Sequence, residues 1–119
     1  MLSDVTLIGN VGKIESQYTT QAKLITKFSL AVNIGYGDNK KTNWYYCTAW
    51  ERTAEFVQQR AQVGTQLFVE GELFLREWKT KDSEDRLSPD VTVSKFRVLS
   101  RGKKKDEETI EELPEFMKD

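Results

Sequence analysis

Trp44-Tyr45-Tyr46-Cys47-Thr48-Ala49-Trp50 is followed, after Glu51-Arg52, by Thr53-Ala54-Glu55-Phe56-Val57-Gln58-Gln59-Arg60-Ala61-Gln62. The hydrophobic period changes between these two runs, and that change decides the fold. Side chains of a strand alternate between its faces. The first run then puts Trp44, Tyr46, Thr48 and Trp50 on one face and Tyr45, Cys47 and Ala49 on the other. The second run places Ala54, Phe56, Val57 and Ala61 among good helix formers and stops at Gly64, which predicts one short helix.

Strands flank this unit on both sides. Before it, Lys27 to Ile34 alternates, with Phe28, Leu30, Val32 and Ile34 pointing one way and Lys27, Ser29, Ala31 and Asn33 the other. Gly35 to Lys41 is a polar turn carrying one aromatic, Tyr36. Val5 to Val11 is a first strand whose Gly9 and Gly12 suggest a bulge or sharp bend. After the helix, Gln66 to Trp78 returns to strand character with a break at Gly71. A charged hairpin loop is expected over Lys79 to Pro89 and a last strand over Val91 to Leu99.

Three strands, a helix and two strands is the order of an all-β, five-stranded oligonucleotide/oligosaccharide-binding (OB) barrel, with one short helix between strands 3 and 4. Such barrels bind ligands around strands 2 and 3 and on the loops joining strands 1–2 and 4–5. Trp44 and Trp50 lie on strand 3, and Trp78 opens the 4–5 loop. A core needs only one face of strand 3. Its second face is either a platform for flat ligands, nucleic-acid bases above all, or a surface packed under a neighbouring subunit.

Composition narrows the classes further. A chain of 119 residues fits one domain, and its 31% charged residues are mixed in sign. Residues 1–102 hold 14 Lys/Arg and 12 Asp/Glu, whereas residues 103–119 hold 4 Lys and 7 Asp/Glu. This divides the chain into a mildly basic body and an acidic, disordered tail. There is no histidine, no Cys/His cluster with metal spacing and no phosphate-cradling glycine loop, so no enzyme, metal or cofactor is expected. The single Cys47 falls on the core face of strand 3. The start of the sequence shows no secretory signal and the aliphatic runs are three residues at most, so a cytoplasmic protein without membrane contact is expected.

Several segments resemble the DNA-binding domain of bacterial single-stranded DNA-binding proteins. They are Leu7-Ile8-Gly9-Asn10-Val11-Gly12, Trp44 with Trp50 six residues later, Arg52-Thr53-Ala54-Glu55, Val63 to Leu73 with its Gly71-Glu72-Leu73, and Arg76-Glu77-Trp78. The match runs in order over about residues 4–100 and marks a short, divergent member. The resemblance implies a nucleoid-associated homotetramer that binds and protects single-stranded DNA in replication, recombination and repair, without sequence preference. It implies base stacking on Trp44, Trp50, Trp78 and Tyr36, since every base has a π-face. Phosphate contacts would come from Arg52, Arg76, Lys40, Lys41, Lys79, Lys81 and Arg86. Tyr46 would either stack or pack against a partner subunit.

The chain departs from the family pattern in two places. Tyr46, Phe74 and Glu77 stand where relatives are often basic, so a shallower salt dependence of binding is expected. Relatives usually carry a long Gly/Pro/Gln-rich linker and an acidic tip ending in Pro-Phe. Here Lys103-Lys104-Lys105 leads straight into acidic residues with Leu113, Pro114 and Phe116, and three residues follow Phe116. The tail is expected to dock on replication or repair proteins, or to fold back and compete with DNA. Two other uses of the aromatic face stay open, an OB-type protein-interaction module such as a primosome or regulatory component, and an RNA binder.

Overall fold

The structure, a computed structural model, describes residues 3–101. Leu113, Pro114 and Phe116 lie outside the described residues. Five strands, β1 (Asp4–Tyr18), β2 (Leu24–Ile34), β3 (Lys41–Trp50), β4 (Gln66–Lys79) and β5 (Asp85–Ser100), surround one helix, α1 (Glu51–Arg60), between β3 and β4. They close into a barrel in the order β1-β2-β3-β5-β4, with β3 and β5 parallel and the other pairs antiparallel. This is the expected OB architecture.

Alternation builds the core. Leu7 and Val11 of β1, Phe28 and Leu30 of β2, Cys47 and Ala49 of β3, Leu67 and Val69 of β4, and Val91 and Val93 of β5 all point inward and are buried. Ala54 and Val57 of α1 plug one end. The helix is tied down by Thr26, whose hydroxyl donates to the Ala54 carbonyl (2.9 Å) and shares a 2.8 Å bond with Ser16. The turn after α1 is pinned to β1 by the Val11 N–H on the Thr65 carbonyl and the Gly64 N–H on the Val11 carbonyl. Ile34, expected to face inward with Phe28 and Leu30, is instead exposed, because β2 has run past the barrel rim there.

Several boundaries differ from expectation. The register of β1 against β2 slips between Val11 and Lys13. The slip is a bulge at Gly12, and the strand continues to Tyr18 rather than ending there. Gly9 is no break, since it pairs regularly with Leu67; it is small because the Ala31 carbonyl passes close by. The register shift beside Gly71 does occur. The charged stretch expected as a loop over Lys79 to Pro89 is largely ladder, pairing Leu75 with Pro89 and Lys79 with Asp85. The turn itself is Thr80–Glu84, closed by hydrogen bonds between Thr80 and both Ser83 and Glu84.

Helix α1 follows β3 without a loop. The corner is made by Glu51, at φ 52°, a left-handed conformation that costs a residue with a Cβ about 1–2 kcal/mol. Its carboxylate stands in the first turn, where it complements the helix dipole. Alanine there would lose the charge and keep the strain, whereas glycine would lose both. Glu51→Gly is therefore expected to be more stable than Glu51→Ala by about 1 kcal/mol, read from urea midpoints. Equal midpoints would mean the corner relaxes by another route.

Candidate nucleic-acid interface

The outward side of β3 carries Trp44, Tyr46 and Trp50, each between 44% and 48% exposed. The opposite side holds Cys47 and Ala49 in the core. Trp44 pairs with Ala31 of β2, whose small side chain lets the indole cross it. The ring reaches β1, since a Cβ added at Gly12 would lie 2.6 Å from Trp44 Cζ3 and 2.9 Å from Ser29 Oγ. Ser29 in turn accepts the Lys13 N–H at 3.0 Å. The Gly12 bulge thus makes the seat for the Trp44 ring. Trp50 pairs with Ile25, which alternation puts on the outer side and which is nevertheless buried, so the Trp50 corner is packed as well as open.

The same outer face continues onto the hairpin that β4 and β5 extend beyond the barrel. Tyr46 pairs with Asp90 of β5, and Asp90 with Phe74 of β4. Phe74, Arg76 and Trp78 alternate outward along β4, and Trp78 pairs with Arg86. Phe74 and Trp78 are about half exposed. The row Ser29, Tyr46, Asp90, Phe74 therefore joins the β3 aromatics to the hairpin aromatics across four strands.

Two of the cations expected to meet phosphate are held by carboxylates. Arg76 Nε donates to Asp90 Oδ2 at 2.7 Å, and Arg86 Nη2 to Glu84 Oε1 at 3.0 Å. The others are exposed: Arg52 on the first turn of α1 just beyond Trp50, Lys40 and Lys41 entering β3, and Lys79 and Lys81 at the hairpin tip. Tyr36 is 91% exposed at the start of a short 3-10 turn (Gly37–Asn39) and is not seated against the platform as Trp44 is. Members of this face not among the expected site residues include Lys13, Lys27 with Glu15 opposite it, Phe74 and Asp90. The alternation of β2 already set Lys27 opposite Phe28. The Gly12 bulge hid Lys13 by reversing the phase of β1.

Cys47 takes no part in the surface. Burial first, and the Asp90 charge second, push its thiol up to about 12 from the ordinary 9.0. Because the folded state keeps this proton, the group's stabilising contribution is full below about pH 9 and is lost as pH rises toward 12. Thiolate is the reactive form, so the native protein is expected to resist iodoacetamide at pH 8 and to label on unfolding. Rapid labelling of folded protein would contradict this burial. Among the described residues no group of His, Cys, Asp and Glu could hold a metal ion, and no helix is long and apolar enough to cross a membrane.

A closed OB barrel with an aromatic outer face defines the class of oligonucleotide- and oligosaccharide-binding domains. Comparison with known proteins narrows it. The Single-strand binding protein family matches residues 2–99. The single-stranded DNA-binding protein of Thermotoga maritima is 32% identical over 117 residues, covering 93% of this chain and 81% of that protein. Single-stranded DNA-binding protein 1 of Chlorobaculum tepidum is 27% identical over 105 residues, covering 82% of this chain and 65% of that one. Among solved structures, the Plasmodium falciparum SSB complex with ssDNA superposes with a TM-score of 0.72 at 22% identity, over 84% of this chain and 97% of that one. The small single-stranded DNA-binding protein of Streptomyces coelicolor gives 0.72 at 21% identity, over 82% and 94%. The chain belongs to the single-strand binding protein family.

Proposed function

We propose that this chain binds single-stranded DNA without sequence preference, stacking bases on Trp44, Trp50 and Trp78, with Tyr36 as an outlying fourth contact. The observation that carries this reading is the continuous outer face on which Trp44, Tyr46, Phe74, Arg76 and Trp78 lie across β3, β5 and β4. An aromatic under a base contributes roughly 1–3 kcal/mol whatever the base. Arg52, Arg76, Lys40, Lys41, Lys79, Lys81 and Arg86 would supply phosphate contacts, and Lys13 and Lys27 join them on the same face. With Arg76 and Arg86 already paired, fewer counterions are released on binding, and the salt dependence is shallow.

The reading extends to a cytoplasmic homotetramer serving replication, recombination and repair, with residues 103–119 recruiting partners or competing with DNA. Self-association is supported by Ile8, which is half exposed on the outer side of β1 opposite Phe68 of β4; light scattering tests it. Titration of the full chain with oligo(dT), followed by tryptophan fluorescence at low and high salt, tests the central claim. Saturable quenching is expected. Absence of quenching and of binding at low salt would leave the aromatic face to a protein partner.

A further inference from the structure

An aspartate stands in the middle of a face that is to meet phosphates, and its hydrogen bonds say why. Asp90 Oδ2 accepts Arg76 Nε at 2.7 Å, and its Oδ1 accepts the Ser88 hydroxyl at 2.7 Å. Ser88 is itself buried, so the carboxylate is fixed from below, and Asp90 is more covered than the arginine it holds, at 30% against 57%. Arg76 lies across the ladder, opposite Ser88, and Asp90 is opposite both Tyr46 and Phe74. The bond uses Nε alone. Nη1 and Nη2 are left to donate elsewhere, and a guanidinium held at one corner can still grip an oxyanion with its other two nitrogens.

We propose that Asp90, seated on Ser88, is a positioning residue for single-strand binding: it anchors Arg76 by Nε so that the two terminal nitrogens meet a backbone phosphate between the Tyr46–Phe74 row and Trp78. This rests on the single-strand reading above. The carboxylate has two opposed effects. It cancels the Arg76 charge, which weakens long-range attraction, and it removes the rotamer freedom that a free arginine would lose on binding. Salt separates them, because screening removes the first and leaves the second.

The test measures oligo(dT) affinity of the full chain between low salt and 1 M salt for the wild type, Asp90→Asn, Ser88→Ala, Arg76→Ala and the Arg76→Ala/Asp90→Asn double variant. Freeing the Arg76 charge adds up to one to the number of phosphates neutralised, whose counterions are released, steepening the salt slope of Asp90→Asn by up to about 0.7. Its line is expected to cross that of the wild type, tighter at low salt and roughly two- to tenfold weaker at 1 M, where only the lost ordering remains. Ser88→Ala, which changes no charge, is expected to show the 1 M loss with an unchanged slope, and it serves if Asp90→Asn does not fold. In the Arg76→Ala background Asp90→Asn is expected to cause no loss at 1 M. An Asp90→Asn line parallel to the wild type, or a 1 M loss that persists without Arg76, overturns the proposal. A wild type that does not bind oligo(dT) at all overturns the single-strand reading and this one together.

Discussion

Replacing Trp44 and Trp78 together by alanine is expected to lower affinity for oligo(dT) at least about thirtyfold, with the fold intact. Each ring stacked under a base contributes roughly 1–3 kcal/mol, so the pair accounts for about 2–6 kcal/mol. The two act independently, because they stand on different strands with β5 between them, and distant sites add. Trp44 lies outside the buried cluster, against Gly12 and Ser29. Trp78 lies on the hairpin beyond the barrel, with Arg86 opposite. Truncating them removes half-covered rings rather than core, so each is expected to cost about 0.5–3 kcal/mol of a domain's roughly 5–15 kcal/mol and to leave the barrel folded. Anisotropy of a labelled oligo(dT) is the readout, since the substitutions remove two of the three tryptophans that report by fluorescence. Unchanged affinity would sink the stacking reading for both. A loss from Trp44→Ala alone would confine the binding path to the barrel and free the hairpin for another role.

The sequence carried the topology because core residues alternate wherever a strand has one wet face. Phe28 and Leu30, and Cys47 and Ala49, are legible in this way, and the one stretch with a different period is the helix. The alternation fails for two physical reasons. At Gly12 the bulge shifts the phase, so Val11 and Ile14 both turn inward although they stand an odd three positions apart; β1 then looks shorter than it is and Lys13 drops out of view. Along the β4–β5 hairpin both faces are wet, with Leu75 and Leu87 each 60% exposed. Lys79, Asp85 and Arg86 therefore read as a charged loop although they form a ladder with their neighbours across the hairpin. The tryptophans of the candidate site were visible as residue types on the wrong face for a core. The pairing of Arg76 with Asp90 was not, since it joins residues fourteen apart across a hairpin whose register only the folded chain reveals.

The two glycines of Gly9-Asn10-Val11-Gly12 look alike in sequence, yet alanine at each is expected to damage a different property. At Gly9 an added Cβ would fall on the Ala31 carbonyl oxygen and 3.0 Å from both the Ala31 carbonyl carbon and Leu30 Cγ. The obstacle is backbone of a strand paired on both sides, and no rotamer change removes it. Gly71 is in the same position, with the Thr92 carbonyl oxygen in contact and its carbon at 2.9 Å. Relief requires β1 or β4 to move away where the barrel closes, between Leu7 and Val11 or beside Val91, all of them core. Overpacking costs about 1–3 kcal/mol and more where the surroundings cannot yield, so Gly9→Ala is expected to lose about 3 kcal/mol or more. That is a large share of a domain's roughly 5–15 kcal/mol, and a urea titration would show it. At Gly12 the nearest atoms are the far edge of the Trp44 ring and the Ser29 hydroxyl, and both can swing aside. Gly12→Ala is therefore expected to keep its urea midpoint nearly unchanged while binding oligo(dT) more weakly, because the indole loses its seat. A Gly9→Ala protein as stable as the wild type would mean that β1 does not pass so near Ala31. A Gly12→Ala protein that binds as well as the wild type would mean that Trp44 needs no seat there.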